Sequence, residues 1–205
     1  MEKEKTFKDL LDGYRLFRQK YTGDNSIMKN LSALGQNPQF MLVSCCDSRV
    51  DPALILQCDP GDLFVVRNIA NIVPPYEKDE ALHGTSAALE FGIRRLNVRD
   101  LILLGHSQCA GIRALLQNGN LQQNDFITKW VSSIKIPEAE LNESKGPDEY
   151  AKLGLTSSYE NCLTFPWIKE KVDKQELAIH RWFFDIQSGQ IFTYSDKYDI
   201  YQPLE

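Results

Sequence analysis

Two hydrophobic patterns alternate along this chain, and each predicts its own kind of element. Residues 39–45 (QFMLVSC), 63–66 (LFVV) and 101–104 (LILL) are apolar runs of strand length that end in polar, turn-forming text. Around them the apolar positions recur at helical spacing. Phe7, Leu10, Leu11, Tyr14, Leu16 and Phe17 mark a helix over 6–21, and a second short helix spans 26–34. Ala87, Ala88, Phe91 and Ile93 lie on a helix over 83–96, and a further one is expected from near Cys109 to Leu116. Pro52, after a polar turn, suits the first turn of a helix, and Pro60-Gly61 marks a turn ahead of the second strand.

Strands that are apolar at nearly every position, separated by helices, belong to a parallel sheet covered on both faces. From 125 to 171, Trp130, Ile134, Leu153 and Trp167 suggest several helices separated by Pro137, Pro147 and Pro166. Residues 177–184 and 190–194, divided by Gln187-Ser-Gly-Gln190, read as a strand and its hairpin return at the sheet edge. The expected fold class is α/β: a mainly parallel central sheet flanked by helices, with an antiparallel edge strand near the C-terminus. The N-terminal helices precede the first strand and are expected to pack on a dimer partner rather than on the main core.

Composition narrows the function classes. The chain has 205 residues, 42% hydrophobic and 25% charged, which is ordinary globular material with enough apolar residues for a sizeable core. Its 23 basic and 28 acidic side chains leave a net charge of −5 with no dense basic block, so no nucleic-acid partner is expected. The opening stretch is charged and amphipathic, unlike a secretory signal, and no run approaches the roughly 20 apolar residues of a membrane span. A cytoplasmic protein without a membrane partner is expected. Five cysteines, an odd number, argue against a disulfide framework and leave thiols available as metal ligands, nucleophiles or buried apolar groups.

Two loops just beyond strand ends hold soft metal-ligand types: Cys45 with Cys46 after the first strand, and His106 with Cys109 after the third. Open parallel sheets place ligand sites at that carboxyl edge. His106-Ser-Gln-Cys109 sets an imidazole and a thiolate close enough to reach one ion, and one more thiolate, from Cys45 or Cys46, completes three ligands. Three protein ligands on a tetrahedral ion leave one position open, as a catalytic zinc requires. Alone, His-x-x-Cys reads as readily as a core histidine beside a buried thiol. The first loop strengthens the case, because Asp47 and Arg49 flank the cysteines and a carboxylate held by a guanidinium stays ionised and oriented. Such an Asp either accepts a hydrogen bond from a metal-bound hydroxide or ligates the metal itself; the plain alternative is a helix cap.

Cys45-Cys-Asp47-Ser-Arg49 and His106-Ser-Gln-Cys109 together resemble the paired motifs of the β-class carbonic anhydrases. The intervening text GDLFVVRNIANIVPPY (61–76) and GTSAALEF (84–91) is similar to that family's second strand and following helix, and the likeness is strong from Gly35 to Arg113. The resemblance implies a single domain over 1–205, with an N-terminal helical arm (1–34), a zinc-site core (35–120) and a helical segment with C-terminal strands (121–205). It implies one zinc per chain on Cys45, His106 and Cys109, with Asp47 and Arg49 as the catalytic pair, and reversible hydration of carbon dioxide to bicarbonate and a proton by zinc-bound hydroxide. Cys46 stands where the family has a serine, so Cys45, whose spacing to Asp47 and Arg49 matches, is the expected ligand. Gln36 matches a substrate-binding glutamine of the plant-like subgroup, and Leu42 replaces the tryptophan of the other subgroup; both favour an open site with Asp47 paired to Arg49. Phe64, Ile69 and Phe91 match an apolar substrate cleft built partly across a dimer interface. Phe91 replaces a common tyrosine and Ala110 a glycine, changes that bear on pocket geometry. A homodimer or homotetramer is implied.

Other readings were open at the same residues. A carbon disulfide or carbonyl sulfide hydrolase would use the same ligands, and a non-catalytic zinc-containing bicarbonate sensor would not need Asp47 and Arg49. A phosphatase-type cysteine is disfavoured, since the sixth residue after Cys45 is Asp51 and after Cys46 is Pro52, where such a loop needs arginine. His83 reads as a surface or partly buried histidine sooner than as a proton relay. His180, Cys58, Cys162 and Trp182-Phe-Phe184 read as structural.

Overall fold

The computed structural model places the apolar runs 39–45 and 101–104 between two covering layers and the run 63–66 at a half-exposed edge of the same sheet; it describes residues 4–24, 26–79, 81–117, 125–142 and 144–204. Six strands form one sheet in the order β2-β1-β3-β4-β5-β6. They are β1 (Phe40–Cys45), β2 (Leu63–Asn68), β3 (Asp100–His106), β4 (Ala178–Asp185), β5 (Gln190–Ser195) and β6 (Ile200–Pro203). The first four are parallel, while β4–β5 and β5–β6 are antiparallel. Every residue of β1 but the first, and of β3 but the first, is buried. The antiparallel edge is thus two strands wide: β6 follows the first hairpin and escaped the sequence pattern because its four residues alternate too briefly.

Helices cover both faces. In chain order they are α1 (Phe7–Tyr21), α2 (Ile27–Leu34), α3 (Pro52–Ile55), α4 (Gly84–Glu90), α5 (Ala110–Leu116), α6 (Phe126–Val131), α7 (Pro147–Thr164) and α8 (Pro166–Asp173). The larger core packs Met41, Val43, Leu101 and Leu103 against helical residues such as Leu89, Ile112 and Leu155. A smaller core on the opposite face holds Leu42, Val50, Ile102, Leu104 and Phe184. At Gly105 a Cβ would lie 2.9 Å from Leu155 Cδ1, so the missing side chain lets α7 seat against β3 immediately before His106. The α7 polar groups also fix a loop: Ser158 Oγ accepts from the Val73 N–H at 3.1 Å and Asn161 Nδ2 donates to the Val73 carbonyl at 2.8 Å.

Both N-terminal helices start on the caps their sequence offers. Thr6 and Asp9 form a reciprocal capping box on α1, and Ser26 caps α2. Yet α1 buries no residue within the chain, leaving Phe7, Leu10, Tyr14 and Leu16 all more than half exposed. The helix over 83–96 is α4 continued by a π-helical turn at Phe91–Arg95. The boundary read between 120 and 121 lies outside the described residues.

Candidate metal centre

The strand order reverses direction between β1 and β3: the chain moves outward from β1 to β2, then returns to the other side of β1 as β3. The crevice at such a switch point, beyond the carboxyl ends of the strands, is where open sheets bind ligands. β1 ends on Cys45 and β3 on His106, so backbone topology alone carries both to one place. Cys109 follows after one turn, as the residue capping α5. One potential ligand atom from each of Cys45, His106 and Cys109 lies within 4.8 Å of the others, and all three residues are buried. The two sulfurs are 3.9 Å apart.

The chemistry of this triangle fits a soft divalent ion. His106 Nδ1 lies 2.9 Å from the Ser107 carbonyl oxygen, which can only accept, so Nδ1 carries the proton and Nε2 the free lone pair. That Nε2 is buried without a hydrogen-bond partner. An unpartnered buried acceptor beside two buried thiols is costly unless something positive occupies the space between them. The Cys45 thiol is pushed down, chiefly by the hydrogen bond from Cys109 and against the effect of burial. Cys109 is pushed up by Cys45 first and by burial second, while the Gly111 and Ile112 N–H groups at the start of α5 pull the other way.

Asp47 and Arg49 stand on the loop leaving β1. The guanidinium grips the carboxylate with two parallel bonds, Nε to Oδ1 at 2.9 Å and Nη2 to Oδ2 at 2.7 Å, and the Arg49 N–H adds a third at 3.0 Å. Arg49 is the main reason the Asp47 carboxyl is held far below the usual carboxylate range. Asp47 is only 13% exposed on its side chain. The sequence reading of this pair as a fixed, ionised carboxylate thus has its geometry.

The remaining expected residues divide between two places. Ile69 and Ala110 border the carboxyl edge: Ile69 is in the short 3-10 turn after β2, and a Cβ on Gly111 would meet its Cγ2 at 2.8 Å. Gln36, Phe64 and Phe91 do not. Gln36 is exposed in the loop entering β1 at its amino end. Phe64 pairs in register with Met41, four residues before the Asn68 that faces Cys45, about 13 Å along the strand. Phe91 stacks on Phe64 with ring centroids 5.8 Å apart. Cys46 is exposed, Cys162 is buried and Cys58 is only half-buried. His83 bonds Asp79 and His180 bonds Asp100.

Sequence reasoning missed three residues that brace the ligand loops. Arg67, next to last in β2, donates to the Cys45 carbonyl at 3.0 Å, the Asp47 carbonyl at 2.7 Å and Asp51 Oδ2 at 2.9 Å. Its one signal was a charge ending an apolar strand. Asp148, at the start of α7, accepts from the Gln108 N–H at 2.7 Å, where Gln108 holds φ at 57° between the two ligands of the second loop. Asp185 accepts from the Ser107 hydroxyl at 3.0 Å.

This fold and donor set define an open α/β protein with a buried three-ligand metal centre at its switch point. Residues 40–191 match the family model described as Carbonic anhydrase. The chain is 38% identical over 188 residues to beta carbonic anhydrase 5, chloroplastic, of Arabidopsis thaliana, covering 87% of this chain and 62% of that relative's length. Among solved structures, the beta-carbonic anhydrase CcaA superposes with a TM-score of 0.84 at 30% identity, covering 97% of this chain and 92% of the other. A tetrameric beta-carbonic anhydrase from Sordaria macrospora superposes with a TM-score of 0.72 at 28% identity, covering 91% and 92%. The chain belongs to the carbonic anhydrase family, in its β class, whose members are zinc proteins.

Proposed function

We propose that this chain catalyses the reversible hydration of carbon dioxide to bicarbonate and a proton. The observation that carries the reading is the buried Cys45–His106–Cys109 triangle with the Asp47–Arg49 pair on the adjoining loop. Cys45, His106 and Cys109 would hold a zinc ion, which would supply the Lewis acidity that turns water into a nucleophile.

The protein's own groups do the rest. Two thiols and one imidazole would be the ion's donors. Asp47 accepts three hydrogen bonds from Arg49, two on Oδ1 and one on Oδ2, which leaves lone-pair capacity on Oδ2 to orient the O–H of the attacking group. Arg49 prevents that carboxylate from taking the proton or turning inward to ligate the metal. Ile69 and the Ala110 methyl supply an apolar wall, suited to a substrate with no net dipole. Because Gln36, Phe64 and Phe91 lie toward the amino edge of their own sheet, they act on substrate in the site of a second copy. An even-numbered homo-oligomer follows, joined through the exposed apolar face of α1. Among the described residues no helix is long and apolar enough to cross a membrane. We assign the chain to the cytoplasm because five cysteines, an odd number, do not suit a disulfide framework.

Stopped-flow carbon dioxide hydration on purified protein, with zinc measured on the same sample, tests the reading. Cys45→Ser, His106→Ala and Cys109→Ser should lose zinc and turnover together, Cys46→Ser should keep both, and Asp47→Ala should keep zinc while losing most turnover. One zinc per chain with no hydration would refute the proposed reaction.

A further inference from the structure

We infer that Asp185 is a positioning residue for the metal ligand His106, acting through Ser107 from 78 residues away in sequence. The inference rests on the metal-centre reading above. Ser107 is 2% exposed, and every polar atom it owns is engaged. Its N–H donates to the Phe184 carbonyl at 2.9 Å, extending the β3–β4 ladder one residue past the strand. Its hydroxyl donates to Asp185 Oδ1 at 3.0 Å and accepts from the Ile186 N–H at 2.9 Å. Its carbonyl accepts the proton on His106 Nδ1 at 2.9 Å.

The consequence is mechanical and chemical at once. Three bonds to residues 184–186 fix the Ser107 backbone, and that backbone aims the carbonyl that sets both the tautomer and the orientation of the His106 ring. Partners of this kind orient a ligating imidazole and raise its basicity toward the ion. Asp185 has a second task in the turn that follows it. Its Oδ2 accepts from the Ser188 N–H at 3.2 Å and the Ser188 hydroxyl at 2.6 Å, and its Oδ1 also accepts from the Gln187 N–H at 3.2 Å, which builds the β4–β5 turn. One carboxylate therefore ties the turn through both oxygens and the ligand loop through Oδ1 alone, and the bonds to Ser188 on Oδ2 serve the turn only.

That division supplies the test. Zinc release from the loaded protein into a chromophoric chelator is timed, and the visible bands of the cobalt(II)-substituted protein are recorded, for Ser107→Ala, Asp185→Ala, Asp185→Asn and Ser188→Ala. Ser107→Ala and Asp185→Ala should each speed zinc release about 10- to 100-fold and shift the cobalt bands. The two combined should exceed neither alone by more than a small factor, because they cut one connection. Asp185→Asn, whose amide oxygen still accepts from Ser107, should recover most of the wild-type rate. Ser188→Ala, which cuts only the turn side, should release zinc as the wild type does. The inference is overturned if Ser107→Ala, folded by circular dichroism, releases zinc at the wild-type rate with unshifted bands, or if Ser188→Ala matches Asp185→Ala. Should Asp185→Ala fail to fold, Ser107→Ala and Asp185→Asn carry the decision. A wild-type chain that takes up no zinc removes the metal-centre reading itself, whereas zinc-binding variants that all match the wild type remove this inference alone.

Discussion

Replacing Arg67 by methionine keeps an apolar stem of similar reach and removes the guanidinium. In the native fold that group donates to the carbonyls of Cys45 and Asp47 and to the Asp51 carboxylate. A hydrogen bond from a charged donor contributes about 1.5–3 kcal/mol, and a buried carbonyl left without a partner costs about 1–3 kcal/mol. The Arg67 side chain is 29% exposed, so water reaches part of the gap and the two carbonyl bonds belong at the low end. The Asp51 carboxylate is 39% exposed, and its ion pair adds less than about 1 kcal/mol. Asp51 keeps its other role, accepting from the Ala53 and Leu54 N–H groups at the start of α3. The total loss is about 3 kcal/mol, which for a chain of this length lowers the melting temperature by about 6–12 °C. Urea unfolding at fixed free zinc measures it, and zinc release should quicken because the lost bonds hold the segment carrying Cys45. Arg67→Lys restores a charge without the fork and should recover only the ion-pair share. A methionine variant within about 0.5 kcal/mol of wild type, with an unchanged urea slope and unchanged zinc release, would refute the bracing argument.

Gly111→Ala sets a Cβ 2.8 Å from Ile69 Cγ2 and 2.9 Å from Ala70 Cβ, and Ala70 at φ 60° has little room to yield. Unfolding should show a loss of about 1–3 kcal/mol and equilibrium dialysis a weaker hold on zinc, since α5 carries Cys109. Cys162 is fully buried, and burial alone pushes its thiol above the ordinary value of 9.0. Its proton is bound more tightly in the folded state, so the stability it contributes is intact below about pH 9 and falls by about 1.4 kcal/mol per pH unit above it. Cys162→Ala should flatten that alkaline slope in urea melts taken at successive pH values; an unchanged slope would count against the burial argument. Leu10→Glu with Tyr14→Glu should leave the monomer's circular dichroism intact and lower the mass in sedimentation, with hydration activity falling alongside; unchanged mass would separate α1 from assembly.

Much of the sheet was legible because β1 and β3 are covered on both sides and must be apolar throughout, a pattern that survives without knowledge of neighbours; β2, the half-exposed edge strand, was legible from its run of four apolar residues after a Pro-Gly turn. The candidate donors Cys45 and His106 were legible for a related reason: they end β1 and β3, and a soft residue ending an apolar run stands out, whereas the choice of Cys45 over Cys46 came from the family resemblance. β6 was not legible, being four residues long and mostly exposed. The π-helical turn at Phe91–Arg95 was not either, since the apolar spacing of 83–96 reads as one continuous helix until the packing of Gly92 against Met41 and Phe64 is seen. Arg67, Asp148 and Asp185 were read as ordinary charges because nothing local marks a side chain whose partners lie 20, 40 and 78 residues away.

The amino-acid sequence by itself determined the five longer strands, the identity of the soft donors and their place at or just beyond strand ends, because hydrophobic periodicity and residue chemistry are local properties. Only the tertiary structure decided which donors meet, which carbonyl sets the tautomer of His106, and that Gln36, Phe64 and Phe91 fall toward the opposite edge of the sheet from the metal ligands of their own chain. Those outcomes depend on strand order and register, and a parallel sheet sets both through contacts between segments that no spacing along the chain can encode.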